Sequence, residues 1–491
     1  MNHPNVLLVC VDQWRGDCFS TAGHPVVMTP FLDGWMRGAM RFDRAYSATP
    51  TCIPARAALF TGLSQARHGR VGYEDGVPWD YELTLPRAFA SAGYQTQAVG
   101  KMHVFPERES LGFADVALHD GYLHFVRDRH ADLGEVDDYL PWMRERLGYE
   151  ADDFEHGVHC NSVVARPWDK PESVHPTNWV VQRSIDFLRH RDRTRPFFLF
   201  ASFHRPHPPY DPPAWAFEQY LYEDMPAPPV GDWTDLWAQH ERPSSPDPQV
   251  AKLDRRMLQR ARAGYYGHMS HIDQQVNRLL HELRSTGAGE NTVVCLVSDH
   301  GELMGDHNLY RKALPYEGAA RIPFAMSGPG VPAGVDGDHV VELRDVMPTL
   351  LDAADLEVPD GLDGRSVLGI ARGADPGWRQ HLHGEHTRFG QSIHFLTDGR
   401  EKYIWCSGTG VEQLFDLVAD PHECRDLARD ARHGPRLAAW RKRLVDELAD
   451  RPEGFVADGR LQVGRPVDDV LPFLRERVGD RGTTPSHLPP R

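Results

Sequence analysis

The sequence predicts an α/β protein: a large, mixed, mostly parallel sheet flanked by helices, with a smaller C-terminal α+β unit. Three observations carry this. Continuous apolar runs at 6–11, 196–203 and 292–297 have the composition of strands covered on both faces. Helix-period segments lie between them, the longest over 257–284 and followed by Gly287 and Gly289. From about residue 375 the character changes to short strands at 392–396, 401–405 and 412–417, then a helix over about 435–450. The expected division is 1–374, 375–450 and a tail at 451–491 rich in Pro, Arg and Gly, either loose or wrapped on a neighbouring subunit of a homo-oligomer.

A chain of 491 residues exceeds one ordinary core. Its 54 basic and 70 acidic residues leave a net charge of −16, which argues against a nucleic-acid or anionic-membrane partner. Any anion must therefore be captured locally. Seven irregularly spaced cysteines without a C-x-x-C suggest neither a disulfide framework nor a zinc-thiolate site. With a first apolar run too short for a membrane span and no leader-like start, the expectation is a cytoplasmic protein.

Taken in order, the first strand stops at Asp12-Gln13. In open α/β sheets ligands bind at strand carboxyl ends, so Asp12 is placed to hold a metal, or equally to cap the next helix. After a helix over 29–36 comes Thr51-Cys52-Ile53-Pro54-Ala55-Arg56-Ala57-Ala58-Leu59-Phe60-Thr61-Gly62. Pro54 suits a first helical turn, the alanines propagate it and Gly62 ends it. Cys52 thus sits where exposed N–H groups and the helix dipole favour negative charge, with Arg56 adding a planar cation. A buried structural cysteine beside a solvated arginine is the alternative.

A helix over 83–92 and a strand over 95–99 lead to Gly100-Lys101-Met102-His103, where Lys101 and His103 point the same way. Residues 105–180, with Tyr122, His124, Phe125, Tyr139, Trp142, Tyr149 and Trp168, read as a loop-rich insertion walling a site or as a packed surface excursion. After a helix over 179–189, the second apolar run ends in His204-Arg205-Pro206-His207-Pro208-Pro209, whose prolines would present a histidine rigidly. Trp215, Phe217, Tyr220, Tyr222, Trp233 and Trp237 then sit among prolines, a composition that suits pocket walls. The third run delivers Ser298-Asp299-His300-Gly301, a second acidic strand end. With Asp12 it gives a metal site that neither gives alone, and the imidazole widens the choice of metal. Lys312 follows, before Tyr316-Glu317-Gly318 and Arg321-Ile322-Pro323.

C-x-P-x-R with T-G, G-K-x-H, P-H-x-P, S-D-H-G and the Lys312 block, in this order, together resemble the type I sulfatases of the alkaline phosphatase superfamily. That resemblance implies an alkaline phosphatase-like sheet and an antiparallel C-terminal sheet with one helix. It implies conversion of Cys52 to formylglycine by a separate maturation enzyme. It also implies one divalent ion, calcium first and manganese or another ion next, held by Asp12, Gln13, residue 52, Asp299 and His300. Gln13 departs from the usual second aspartate. Arg56, Lys101, His103 and Lys312 would contact sulfate or residue 52, and His207 would assist the leaving group of a small anionic ester. Asp12-Gln13, the Arg205–Pro209 stretch and Ser298-Asp299-His300 are equally similar to phosphonate monoester hydrolases and phosphodiesterases, whereas Lys101 and His103 favour sulfate esters. Choline sulfatases share Asp-Gln, G-K-M-H and Asp-His. A metal- and anion-binding protein whose Cys52 is never matured is the reading outside enzymes.

Overall fold

A computed structural model describes residues 3–127, 130, 132–374 and 377–478, without the side chains of 124, 125 and 478. Its centre is an eight-stranded sheet in the order Asp115–Leu118, Gln95–Gly100, Phe197–Pro206, Asn5–Asp12, Thr292–Ser298, Phe324–Ser327, Met40–Phe42, Asp336–Gly337. The first five run parallel; Phe324–Ser327 pairs antiparallel with both neighbours.

Both faces of the central strand are buried, as its unbroken apolar composition requires. Leu7, Val9 and Val11 belong to a core shared with helices Pro176–His190 and Arg255–Ser285. Val6, Leu8 and Cys10 face the other layer, packed with helices Cys52–Thr61, Leu85–Ser91 and Val346–Ala353. Period-two alternation thus puts one helical layer on each side and leaves the strand carboxyl ends as the open edge.

The C-terminal sheet is antiparallel, in the order Leu382–Arg388, Gln391–Thr397, Glu401–Cys406, Glu412–Asp416. Helix Gly434–Glu447 covers one face through Trp440 and Leu444 against Leu396, Tyr403 and Trp405. The other face packs Ile393, Phe395, Ile404 and Phe415 on Tyr46, Trp233, Trp237 and Tyr316 of the large unit. Trp233 and Trp237, expected as pocket walls, are instead buried between the sheets, with Trp233 stacked on Tyr316 at 4.3 Å. The strand Leu382–Arg388 has no counterpart in the sequence pattern; its His383, Glu385, His386 and Arg388 hide the alternation.

Other expected elements are present. The insertion carries one clear helix, Tyr139–Leu147, and the side chains of His124 and Phe125 lie outside the described residues. Part of the tail packs on its own chain: Leu471 N–H donates to Gly69 O at 2.8 Å, Val71 N–H to Asp469 O at 3.0 Å, and Arg475 pairs with Glu74. Val470 and Leu474 bury Val77, so apolar residues dispersed along a basic stretch anchor it. Residues 479–491 lie outside the described residues.

Gly100 ends its strand at φ +96, and a Cβ there would lie 1.9 Å from the Ser202 carbonyl oxygen. Only glycine permits this close approach, which sets Lys101 at the sheet edge. Gly100→Ala is expected to cost about 2–4 kcal/mol of stability, read as a lowered Tm by calorimetry.

Candidate active site

Four neighbouring parallel strands end at one edge and aim their next residues at one point, with Phe197–Pro206, which leads into His207, lying between Gln95–Gly100 and Asn5–Asp12. Asp12 closes the first strand, Asp299 and His300 follow Thr292–Ser298, and Lys101 and His103 follow Gln95–Gly100. Cys52 is the first residue of helix Cys52–Thr61, which ends at Gly62 in the left-handed conformation (φ +67). The backbone dipoles of that helix converge on residue 52.

Asp12, Cys52, Asp299 and His300 each offer a ligand atom within 4.8 Å of the others, all buried. Cys52 Sγ lies 3.2 Å from His300 Nε2 and 3.6 Å from both Asp12 Oδ1 and Tyr122 Oη. His300 Nδ1 donates to Gly301 O at 2.9 Å, leaving the Nε2 lone pair directed at the cluster. Arg56 donates to Asp299 Oδ2 at 2.9 Å, to Lys101 O at 2.6 Å and to Ser202 Oγ at 3.0 Å. Fully buried, it is spent on Asp299 and the backbone, so it secures a carboxylate rather than presenting its fork to a ligand.

Lys101 pairs with Asp12 and donates to Tyr122 Oη at 2.7 Å. Lys312 donates to Gln13 Oε1 at 2.5 Å, and the Gln13 amide nitrogen donates to Glu302. Both ends of the Gln13 amide are therefore engaged. The turn is held at φ +67 by Gln13 N–H donating to Asp299 Oδ1 at 3.1 Å and Tyr265 Oη donating to Gln13 O at 2.6 Å. His207 Nδ1 donates to Pro208 O at 2.9 Å and its Nε2 faces Tyr122 Oη at 3.3 Å. His103 lies 3.5 Å from Asp75 and 3.4 Å from Tyr73 Oη.

Charge balance follows from this packing. Burial pushes Asp12 up to about 7, helped by Asp299 and Cys52 and opposed by Lys101 and His300. Burial would also raise Asp299, but His300 and Arg56 hold it below the usual carboxylate range. At Cys52 burial is outweighed by Lys101, Lys312 and His300, which hold the thiol well below its ordinary value. Burial holds Lys312 below the usual lysine value, and burial with Lys312 and Lys101 keeps His207 neutral. For His103, burial and Lys101 pull down, but hydrogen bonds to Asp75 and Cys52 carry it upward. Anions this close in a dry site call for a cation between them. Two carboxylates, an imidazole lone pair and residue 52 suit a divalent ion.

The candidate catalytic and metal-holding residues Asp12, Gln13, Cys52, Arg56, Lys101, His103, His207, Asp299, His300 and Lys312 thus gather at one strand edge. Tyr122 was named among the aromatics of an insertion walling a site, but its contacts with Cys52, Lys101 and His207 were missed because a tyrosine in an aromatic-rich loop carries no spacing signal. Glu302, the Gln13 partner, and His386, whose Nε2 lies 2.9 Å from Thr51 Oγ1, were also missed.

Residues 4–356 match the family described as sulfatase, and 305–450 the one described as N-sulphoglucosamine sulphohydrolase, C-terminal. The chain is 46% identical to the arylsulfatase of Clostridium perfringens (strain 13 / Type A), covering 95% of this chain and 99% of that protein. It is 30% identical to the multifunctional alkaline phosphatase superfamily protein PehA of Trinickia caryophylli, covering 93% and 99% respectively. The crystal structure of the phosphonate monoester hydrolase of Agrobacterium radiobacter superposes with a TM-score of 0.77 at 26% identity, covering 91% of this chain and 95% of that one.

Removing one partner of the buried Arg56–Asp299 pair strands the other charge. Arg56→Met is expected to destabilise by about 3–5 kcal/mol in denaturant titrations. The double change Arg56→Met with Asp299→Leu should recover part of that loss.

Proposed function

The chain belongs to the sulfatase family, and on that premise we propose that it hydrolyses sulfate monoesters, aryl sulfates foremost, using formylglycine made from Cys52. The observation that carries this is the placement of Cys52 at a helix N-terminus, between a metal-type cluster and the pair Lys101 and Lys312. Sugar and small alkyl sulfates fall within the same chemistry.

Both implied groups suit the residues present. Asp12, Asp299 and the His300 Nε2 lone pair would hold one divalent ion, calcium or manganese, with Gln13 as a neutral oxygen beside them. Residue 52 faces Asp12, Tyr122 and His300, partners enough for two hydroxyls in place of one sulfur. Together the matured side chain and the ion would supply an acidified geminal diol, one oxygen to attack sulfur and a second hydroxyl whose deprotonation frees sulfate.

The remaining work falls to the chain's own side chains. Lys101 and Lys312 offset charge on the equatorial sulfate oxygens. Arg56 acts one step back, holding Asp299 in place. His207 is neutral in the protein alone because burial and the two lysines that face it disfavour its charged form. An anionic ester between them offsets that repulsion, so His207 takes up a proton on binding and gives it to the departing alcohol, with Lys312 alongside. His103, oriented by Asp75, accepts the proton from the second hydroxyl.

A second reading, hydrolysis of phosphonate monoesters or phosphodiesters, is favoured by the superposition on the Agrobacterium radiobacter enzyme and by Gln13. Lys101 and His103 weigh towards sulfate. A cytoplasmic site of action accords with seven cysteines that form no disulfide among the described residues, six of them buried. Among the described residues no helix is long and apolar enough to cross a membrane.

With residue 52 confirmed as formylglycine by peptide mass, 4-nitrophenyl sulfate should be turned over in preference to the phenylphosphonate monoester and bis-ester phosphate analogues. Cys52→Ala should lower kcat by roughly 10³-fold or more. A stronger turnover of the phosphorus esters would establish the second reading. His207→Ala should cost about 10²–10⁴-fold, rising as the leaving alcohol becomes less acidic. Chelation should lower Tm, and calcium or manganese at about 100 Kd should restore roughly 2.7 kcal/mol in the wild type but not in Asp299→Ala.

A further inference from the structure

Beside the Cys52 cluster lies a cleft lined by Tyr73, Tyr122, His207 and Lys312 and also by Arg311, Arg388, Asn161, Gln249 and His386. Among the described residues no carboxylate lines it, in a chain whose net charge is −16. The adjoining pocket on the other side of Tyr73 and Tyr122 has the opposite character, with Glu74, Asp75, Glu107, Asp120 and Asp137 in its walls.

The two arginines are set in an unusual way. Arg311 donates to Asn161 Oδ1 at 3.0 Å, and Arg388 donates to Gln249 Oε1 at 3.1 Å. Gln249 is itself fixed, its amide nitrogen donating to Tyr310 O at 2.9 Å and Lys312 O at 2.8 Å. Neutral amide oxygens orient both guanidinium groups without neutralising either. The buried Arg388 Nε has no hydrogen-bond partner, and neither arginine has an ion pair among the described residues. Burial and the charge of Arg311 push Arg388 down to about 10, against the opposing pull of Asp469. Two oriented guanidinium forks that line the same cleft without a direct ion pair among the described residues leave N–H donors for an oxyanion. Lys101 and Lys312 already serve the group next to residue 52, so these donors lie beyond it.

We propose that Arg311 and Arg388 form a subsite for a second oxyanion on the alcohol portion of the substrate, so that the enzyme prefers esters bearing a carboxylate or a further sulfate. This rests on the sulfatase reading for the ester that is cleaved, but not for the second anion. The strand Leu382–Arg388 supplies half of the subsite, which gives the C-terminal sheet a role in selecting substrate.

The test compares 4-nitrophenyl sulfate with its two ring-carboxylated isomers, and separately with a bis-sulfated aryl diol, at constant ionic strength. Higher kcat/KM for at least one dianionic ester is expected, with Arg388→Gln and Arg311→Gln lowering it tenfold or more beyond their effect on the parent ester. Which ester gains most distinguishes carboxylate from sulfate. Equal losses on parent and dianionic esters would assign the arginines to the cleaved sulfate and overturn the proposal, as would a wild-type preference for the parent. Calorimetric binding of the free nitrohydroxybenzoates against 4-nitrophenol, in wild type and Arg388→Gln, reads the subsite without turnover. Tighter wild-type binding of a carboxylated phenol, lost in the variant, supports it even if sulfate cleavage fails; no difference overturns it.

Discussion

Two aspartates, an imidazole and residue 52 stand within 4.8 Å of one another where water has little access, and much of the surrounding architecture follows from the need to balance them. An isolated buried ion costs several kcal/mol, so each charge here is paired or donated to. Arg56 on Asp299 and Lys101 on Asp12 are the two fixed pairs. Because those cations come from helix Cys52–Thr61 and from the end of strand Gln95–Gly100, the charge balance ties one helical layer and a second strand to the sheet edge.

The sheet makes this concentration possible. Parallel strands deliver their next residues to the same edge, while alternating burial lets helices cover both faces without crossing it. The antiparallel C-terminal sheet then closes one side. Its inner face packs on Tyr46, Trp233 and Tyr316, and its first strand carries His386 and Arg388 to the cleft. A unit that local sequence marks only as short strands thus becomes a wall of the site.

Charge is divided spatially in a way that the overall balance hides. The chain carries a net charge of −16, whereas the cleft beside Cys52 holds Lys312, Arg311 and Arg388 and, among the described residues, no carboxylate. Field lines focus in such a low-dielectric cleft, so an acidic protein can still attract an anionic ester.

The sequence by itself determined the class of fold, the strand ends and the motif residues, because continuous apolar runs, helix periodicity and turn residues are encoded locally. Asp12, Cys52, Lys101, His207 and Asp299 were all legible in that way, each beside an element whose end could be read, whereas Lys312 was picked out by the motif resemblance alone. Only the tertiary structure decided how those residues divide their work. Arg56 looked like an anion fork and instead neutralises Asp299, and Gln13 looked like a free ligand and is held at both ends. Tyr122 was legible only as one aromatic of a walling insertion, yet touches Cys52, Lys101 and His207. The strand Leu382–Arg388 was hidden by its polar residues, and the basic tail packs on residues 69–77. The physical reason is that pairing of charges and burial of isolated apolar side chains depend on partners hundreds of residues away, which no local periodicity records.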